Sequence, residues 1–381
     1  MKKVLVVDDS ALMRRVLCDI IEQDKRFRVE DRAVNGLEAL ELLRKKQYDV
    51  VVLDINMPVM TGLELLENLQ KEKINARVIT VSTDTYEGSR TTLDALALGA
   101  LDFIQKPGSV KDCKLDSFKN KFLEILDVVS ESKMSVIGIS SSSTGARTSI
   151  ARKTLDRKPV ISGETRNKTD ETARAEFRKL ASNFSSTGKS NKIVAIASST
   201  GGPKALQDVV PKLPKNLCAP VVIVQHMPPN FTKSLSDRLN QLSEVNVKEA
   251  EEGDVLENGW VYIARGGSHL NVVMKDGQAR IHYTDEPPRE GVKPCANYMY
   301  ESLSEVRCDQ VICVVMTGMG ADATQGITNL KKTKKLQVIA QEESTCAVYG
   351  MPKSIVNAGL ADRIIPLKDI AQEIVLNVGV R

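Results

Sequence analysis

Short runs of Val, Ile and Leu alternate with longer amphipathic stretches along two parts of this chain, and a Ser/Thr-dense tract without apolar period separates them. In the first part the runs fall at 4–7, 29–33, 50–53, 76–81 and 101–105, with helical spacing in stretches such as 11–22 and 63–72 and a closing helix near 114–129. Continuous apolar strands between helices predict a parallel sheet covered on both faces. The rhythm resumes at residue 192, with buried strands expected at 193–197, 220–225, 311–316 and 336–340. Helices are expected at 204–210, 231–240, 294–306 and 322–330, and a β-rich insertion at 259–283 with a hairpin turn at Lys275-Asp276-Gly277-Gln278. The expected fold class is therefore α/β, two doubly wound parallel-sheet domains at 1–130 and 191–381 joined by a tether at 131–190, in which 171–180 has helical character.

Composition excludes several classes. With 53 basic and 49 acidic residues the net charge is only +4, too balanced to predict a nucleic-acid binder. Seven cysteines, none in a CxxC pair, and three histidines suit neither a disulfide framework nor a clustered metal site. No signal-peptide core or membrane-length run is visible, so a cytoplasmic protein without membrane insertion is expected.

Two strand-end constellations carry chemistry. Asp8 and Asp9 end the first strand and Asp54 the third, while Ser82 and Lys106-Pro107 follow the fourth and fifth. Carboxylates converging at the switch point of a parallel sheet repel one another unless a hard cation such as Mg²⁺ sits among them. Helix capping explains one aspartate, but not the trio with a hydroxyl and a lysine. In the second part, Ile193-Val-Ala-Ile-Ala-Ser-Ser199-Thr200-Gly201-Gly202-Pro203 runs from a strand into a helix. Two further strands deliver Gln225-His226 and Thr317-Gly318-Met319-Gly320-Ala321-Asp322. Serine, histidine and aspartate at three parallel strand ends suit nucleophilic catalysis: Ser199 attacks, His226 takes its proton and Asp322 orients the imidazole. Ser198 offers a second hydroxyl, but register favours Ser199. The echo at 135–145, Ser-Val-Ile-Gly-Ile-Ser-Ser-Ser-Ser-Thr-Gly, lacks the second glycine and the proline and reads as tether.

The first constellation, with Val7-Asp8-Asp9-Ser10 and Leu53-Asp54-Ile55-Asn56-Met57-Pro58, resembles a two-component receiver domain of flavodoxin-like fold. The resemblance implies phosphoryl transfer from a sensor histidine kinase to Asp54. It also implies Mg²⁺ at Asp8, Asp9, Asp54 and the Asn56 carbonyl, and Phe103 as switch aromatic beside Ser82 and Lys106. The second resembles the Rossmann-like catalytic domain of chemotaxis-type protein-glutamate methylesterases. That implies Ser199, His226 and Asp322 as catalytic residues, Met319 as oxyanion donor, and Thr200, Gln225 and Gly201-Gly202 as support. The implied reaction is hydrolysis of glutamyl methyl esters on chemoreceptors, with glutamine deamidation beside it and no cofactor for the ester chemistry. The family commonly has Gly-Ala before the nucleophile and Asn-Asp-Gly around the aspartate, where this chain has Ala197-Ser198 and Ala321-Asp322-Ala323. The alternative is a receiver-regulated α/β output in which Ser-Thr-Gly-Gly cradles a phosphate or nucleotide. Arg265-Gly-Gly-Ser-His269 matches a further motif, and His269 is expected to be structural or cleft-lining.

Overall fold

The computed structural model describes residues 1–82, 85–106, 115–133, 136 and 191–380. Pro107, Cys113, nearly all of the 135–145 echo and the helical stretch at 171–180 lie outside the described residues.

The first sheet comprises β1 (Lys2–Val7), β2 (Phe27–Ala33), β3 (Val50–Asp54), β4 (Val78–Ser82) and β5 (Asp102–Gln105). All pair in parallel in the order β2-β1-β3-β4-β5. Helices α1 (Ala11–Glu22), α2 (Gly36–Lys45), α3 (Gly62–Glu72), α4 (Tyr86–Ala97) and α5 (Asp116–Glu131) alternate with these strands. β3 is buried along its whole length, as its unbroken VVVLD requires of a strand covered on both faces. The order reverses between β1 and β3, so Asp8 and Asp54 flank the switch point.

The second sheet has seven parallel strands in the order β14-β13-β12-β6-β7-β9-β8. They are β6 (Lys192–Ser198), β7 (Val221–Gln225), β8 (Asn246–Glu249), β9 (Trp260–Ile263), β12 (Gln310–Val315), β13 (Leu336–Gln341) and β14 (Arg363–Ile365). The helices are α6 (Gly202–Val209), α7 (Phe231–Leu242), α8 (Ala296–Ser302), α9 (Thr324–Leu330), α10 (Met351–Asn357) and α11 (Leu367–Val378). The expected β-rich insertion divides in two. β9 joins the main sheet beside β7, and only β10 (His269–Lys275) and β11 (Gln278–Thr284) form the separate hairpin, turned at Asp276-Gly277.

Two expected helices are shorter than the apolar pattern suggests. α8 gives way to a 3₁₀ turn at Leu303–Glu305. α9 begins at Thr324 rather than Asp322, because Ala323 is left-handed at φ 84° and cannot continue a right-handed helix. The sheet order reverses at β6, with β7 on one side and β12 on the other, so the loops after β6 and β12 part there and open a crevice. Among the described residues no helix is long and apolar enough to cross a membrane.

Val59, in the loop after β3, is 79% exposed at φ 68°, a left-handed conformation that a β-branched side chain resists. Val59→Gly relieves that strain and loses no buried surface. After the entropy cost of glycine, urea denaturation should report a gain of about 1 kcal/mol.

Candidate functional site

At the first switch point Asp8 is fully buried, Asp54 nearly so, and Asp9 exposed, and their carboxylate oxygens lie within 4.8 Å of one another. Lys106 reaches in from the end of β5, its Nζ 2.7 Å from Asp54 Oδ2 and 3.2 Å from Asp8 Oδ2. Burial works against the Lys106 charge, but the two carboxylates outweigh it and lift the ammonium above its ordinary 10.5. Burial likewise raises Asp54 above 3.8, against the opposing pull of Lys106 and the Ile55 N–H. Asp8 Oδ2 is buried and faces the Lys106 ammonium without a well-formed hydrogen bond, which leaves it coordination that a hard cation can take up. The donor set therefore fits Mg²⁺. Asn56 is exposed beside it. Ser82 turns from the pocket in this structure: its hydroxyl donates to Gly88 O at 3.1 Å and accepts from Thr92 Oγ1 at 2.6 Å.

In the second domain, β6 and β7 pair with Ser198 opposite Gln225, so Ser199 and His226 leave neighbouring strands at the same height. Gln225 ties the two ends together. Its Oε1 accepts from Ser198 Oγ at 2.7 Å, and its Nε2 donates to Ser199 O at 3.0 Å and His226 O at 3.2 Å. Ser198 is thus buried and engaged, which leaves Ser199 as the available hydroxyl. A Cβ on Gly202 would lie 2.0 Å from Gln225 Oε1, so the clamp requires glycine there. The loop after β12 packs directly on Ser199: Ser199 N donates to Thr317 O at 3.0 Å, and a Cβ on Gly318 would meet Ser199 Cβ at 2.8 Å. Met319, next along that loop, is half-buried.

His226 Nε2 and Asp322 Oδ2 are 2.8 Å apart. Asp322 is 2% exposed and receives four further donors. They are Ala296 N at 2.6 Å, Asn297 N and Ala323 N at 2.8 Å each, and Cys295 Sγ at 3.1 Å. Burial alone would raise this carboxyl, but His226 and the surrounding donors hold it down at about 2. His226 Nδ1 is buried and has no hydrogen-bond partner, so the Ser199 hydroxyl is not bonded to it in this structure. His269, expected to be structural or cleft-lining, is buried behind the site: its Nδ1 accepts from Cys295 N at 3.2 Å and its Nε2 lies 3.2 Å from Pro287 O. Cys295, which carries no sequence motif, was not singled out by sequence reasoning.

Sequence comparison assigns each half of the chain to a family. The CheB methylesterase family matches residues 194–374, and the response regulator receiver domain family matches residues 4–115. The chain is 40% identical to the protein-glutamate methylesterase/protein-glutamine glutaminase of Geobacillus kaustophilus over 99% of each protein. It is 39% identical to the protein of that name from Bacillus subtilis over 98% of each. This chain belongs to the protein-glutamate methylesterase/protein-glutamine glutaminase family. The solved catalytic domain of Thermotoga maritima CheB covers 50% of this chain and all of that one, at 42% identity and a TM-score of 0.48. Family membership sets aside the phosphate-cradle alternative.

In this methylesterase the receiver lies against the catalytic rim. Phe103 stacks on Phe231, at the start of α7, with ring centroids 4.5 Å apart. α4 packs along α7 through Arg238–Asp94 at 2.6 Å and Tyr86 Oη–Asp237 at 3.1 Å, beside a polar cleft of about 240 Å³. Thr200, expected to support the site, donates its hydroxyl to Asp102 Oδ2 of the receiver at 2.6 Å instead. Removal from water raises the Asp102 carboxyl, in spite of that bond. From the far end of α5, Ser132 Oγ donates to Ala347 O at 2.7 Å.

The depressed Asp322 carboxyl makes a stability prediction whose sign is fixed. Its folded value of about 2 lies below the ordinary 3.8, so its contribution is complete above about pH 4 and is lost as pH falls through 2. Urea unfolding at pH 5 and pH 2 should therefore differ by about 2 kcal/mol less in Asp322→Asn than in the parent chain.

Proposed function

We propose that this chain is a phosphorylation-controlled serine esterase of chemotaxis, hydrolysing glutamyl methyl esters on chemoreceptors and deamidating receptor glutamines. One observation carries the reading. His226 gives Nε2 to a buried carboxylate and keeps Nδ1 buried without a partner, at the strand end adjoining that of Ser199.

Ser199 Oγ attacks the ester carbonyl while His226 Nδ1 takes its proton. The carbonyl oxygen gathers negative charge, and the Met319 N–H, with no acceptor among the described residues, is the donor assigned to it. His226 returns the proton to the leaving methoxide, which departs as methanol. Water, deprotonated by the same imidazole, then releases the glutamate from Ser199. A glutamine substrate follows the same steps with ammonia as leaving group. Asp322 stays ionised and stabilises the imidazolium, as its five donors favour. Gln225 positions the two strand ends, and no cofactor enters this chemistry.

The receiver (1–130) is joined through the tether (131–190) to the catalytic domain (191–381). A sensor histidine kinase phosphorylates Asp54, in the cytoplasm where the receptor's methylated segments are reached. Mg²⁺ held by Asp8, Asp9, Asp54 and the Asn56 carbonyl would neutralise phosphoryl charge, while Lys106 pairs with the new phosphate and Ser82 rotates toward it. Phe103, held between the receiver and α7, is the element through which phosphorylation loosens the docked face. Docked, the receiver engages Thr200 and narrows the approach to Ser199.

Three outcomes test this. Ser199→Ala should lose about 10⁴-fold or more in methanol release from methylated receptor while keeping the parent melting temperature. Asp54→Asn should retain the basal rate but show no stimulation by acetyl phosphate with Mg²⁺. Asp94→Arg, which turns the Arg238 pair into a repulsion, should raise the unphosphorylated rate towards the stimulated one.

A further inference from the structure

Beneath the rim lies a buried thiol that touches none of the reacting atoms of the step just described. Cys295 caps α8 and is fully buried, and its Sγ lies 3.1 Å from Asp322 Oδ1. The other Asp322 oxygen is the one that meets His226. The thiol is held from behind: its own backbone N–H donates to His269 Nδ1, so His269 is the neutral tautomer that carries its proton on Nε2, towards Pro287 O. The His269 ring leans on Tyr298 with centroids 4.6 Å apart, and Arg289 covers the far side of Tyr298 at 5.2 Å. α8 is fixed in turn by Tyr300, whose hydroxyl lies 3.0 Å from Ala195 O of β6 and 3.2 Å from Val314 O of β12.

We propose that Cys295 is a positioning residue of the hydrolytic reaction: its thiol donates to Asp322 Oδ1 and so sets how strongly that carboxylate draws the His226 proton. The proposal rests on the assignment of Ser199, His226 and Asp322 made above. A carboxylate that accepts more hydrogen bonds is a weaker base towards any one partner. Four donors besides His226 surround Asp322, and three are backbone N–H groups that no side-chain change removes. The thiol is the adjustable one. It is also the weakest donor type of the set, so the carboxylate keeps more of its pull on the imidazole than a hydroxyl at the same place would leave it. Burial, with the Asp322 charge behind it, pushes the thiol up, so it stays a donor at any working pH.

The other titratable and charged groups around the pair sit one layer out. They are Tyr300 and Glu301 on α8, Arg289 in the loop before it, and His269 on β10. Glu301 is committed to Arg289 at 2.7 Å. His269, neutral by its hydrogen bonds, adds no charge.

The test is the pH dependence of Ser199 labelling by a fluorophosphonate, measured on the full chain without phosphodonor so that receiver chemistry stays constant. Cys295→Ala removes a donor from Asp322. The acid limb of its labelling rate should lie about half a pH unit above the parent's, a loss of about threefold on the acid side. Cys295→Ser supplies a stronger donor and should move the limb the opposite way. Acid limbs that coincide in all three proteins, with rates altered evenly across pH, would overturn the proposal and leave Cys295 a packing residue. If Cys295→Ala fails to fold, the direction taken by Cys295→Ser decides alone. A parent chain that is not labelled, or a Ser199→Ala variant that still is, would instead overturn the catalytic assignment, and the proposal with it.

Discussion

The contact between His226 and Asp322 depends on a carboxylate kept ionised out of water, and much of the catalytic domain is arranged to permit that. An isolated buried carboxylate is costly and would take up a proton. Here the start of α8 supplies two backbone N–H groups, the turn into α9 supplies a third, and Cys295 adds its thiol. The arrangement has structural consequences. Ala323 stands at φ 84° with its N–H on Asp322 Oδ1, and α9 starts two residues after the aspartate. α8 must point its N-terminus at the same spot, which the Tyr300 hydroxyl secures by reaching the backbones of β6 and β12 beneath.

Both domains use the same geometric rule for different chemistry. Parallel strands end on one rim, and where the strand order reverses the following loops diverge and leave room. In the receiver that room collects carboxylates and one ammonium, a donor set for a hard cation and a phosphoryl group. In the catalytic domain it collects a hydroxyl, an imidazole and one buried carboxylate ringed by protein donors. The two rims meet through β5: Asp102 and Phe103, consecutive residues, reach Thr200 and Phe231, which lie next to Ser199 and five residues beyond His226.

The strands and the residues at their ends were legible because an apolar run flanked by helical period announces both a buried parallel strand and where it stops. Asp8, Asp54, Ser199 and His226 stand at such stops, and Asp322 lies in the loop that follows one. Side-chain direction was not legible. A strand end does not say which way a hydroxyl turns, so Ser82 faces Gly88 O and Thr200 faces the other domain, where the sequence suggested a role in the pocket. The separation of β9 from the hairpin was hidden because a four-residue WVYI reads alike in a parallel sheet or a meander. Cys295 gave no signal at all, since its role comes from a helix start brought in from 27 residues before Asp322.

Asp102 and Asp322 show how environment, not residue type, decides what a carboxylate drawn from water does. Both lose water. Asp322 is repaid with four donors and an imidazole, so its carboxyl falls to about 2. Asp102 receives one hydroxyl from Thr200 and the N–H of its own neighbour Phe103, and its carboxyl rises. The first is therefore a permanent feature of a folded domain. The second is a contact across the domain boundary, set beside the Phe103–Phe231 stack and the half-buried Arg238–Asp94 pair. Asp102 and Phe103 thus bring one polar and one apolar group of the same strand onto the catalytic domain.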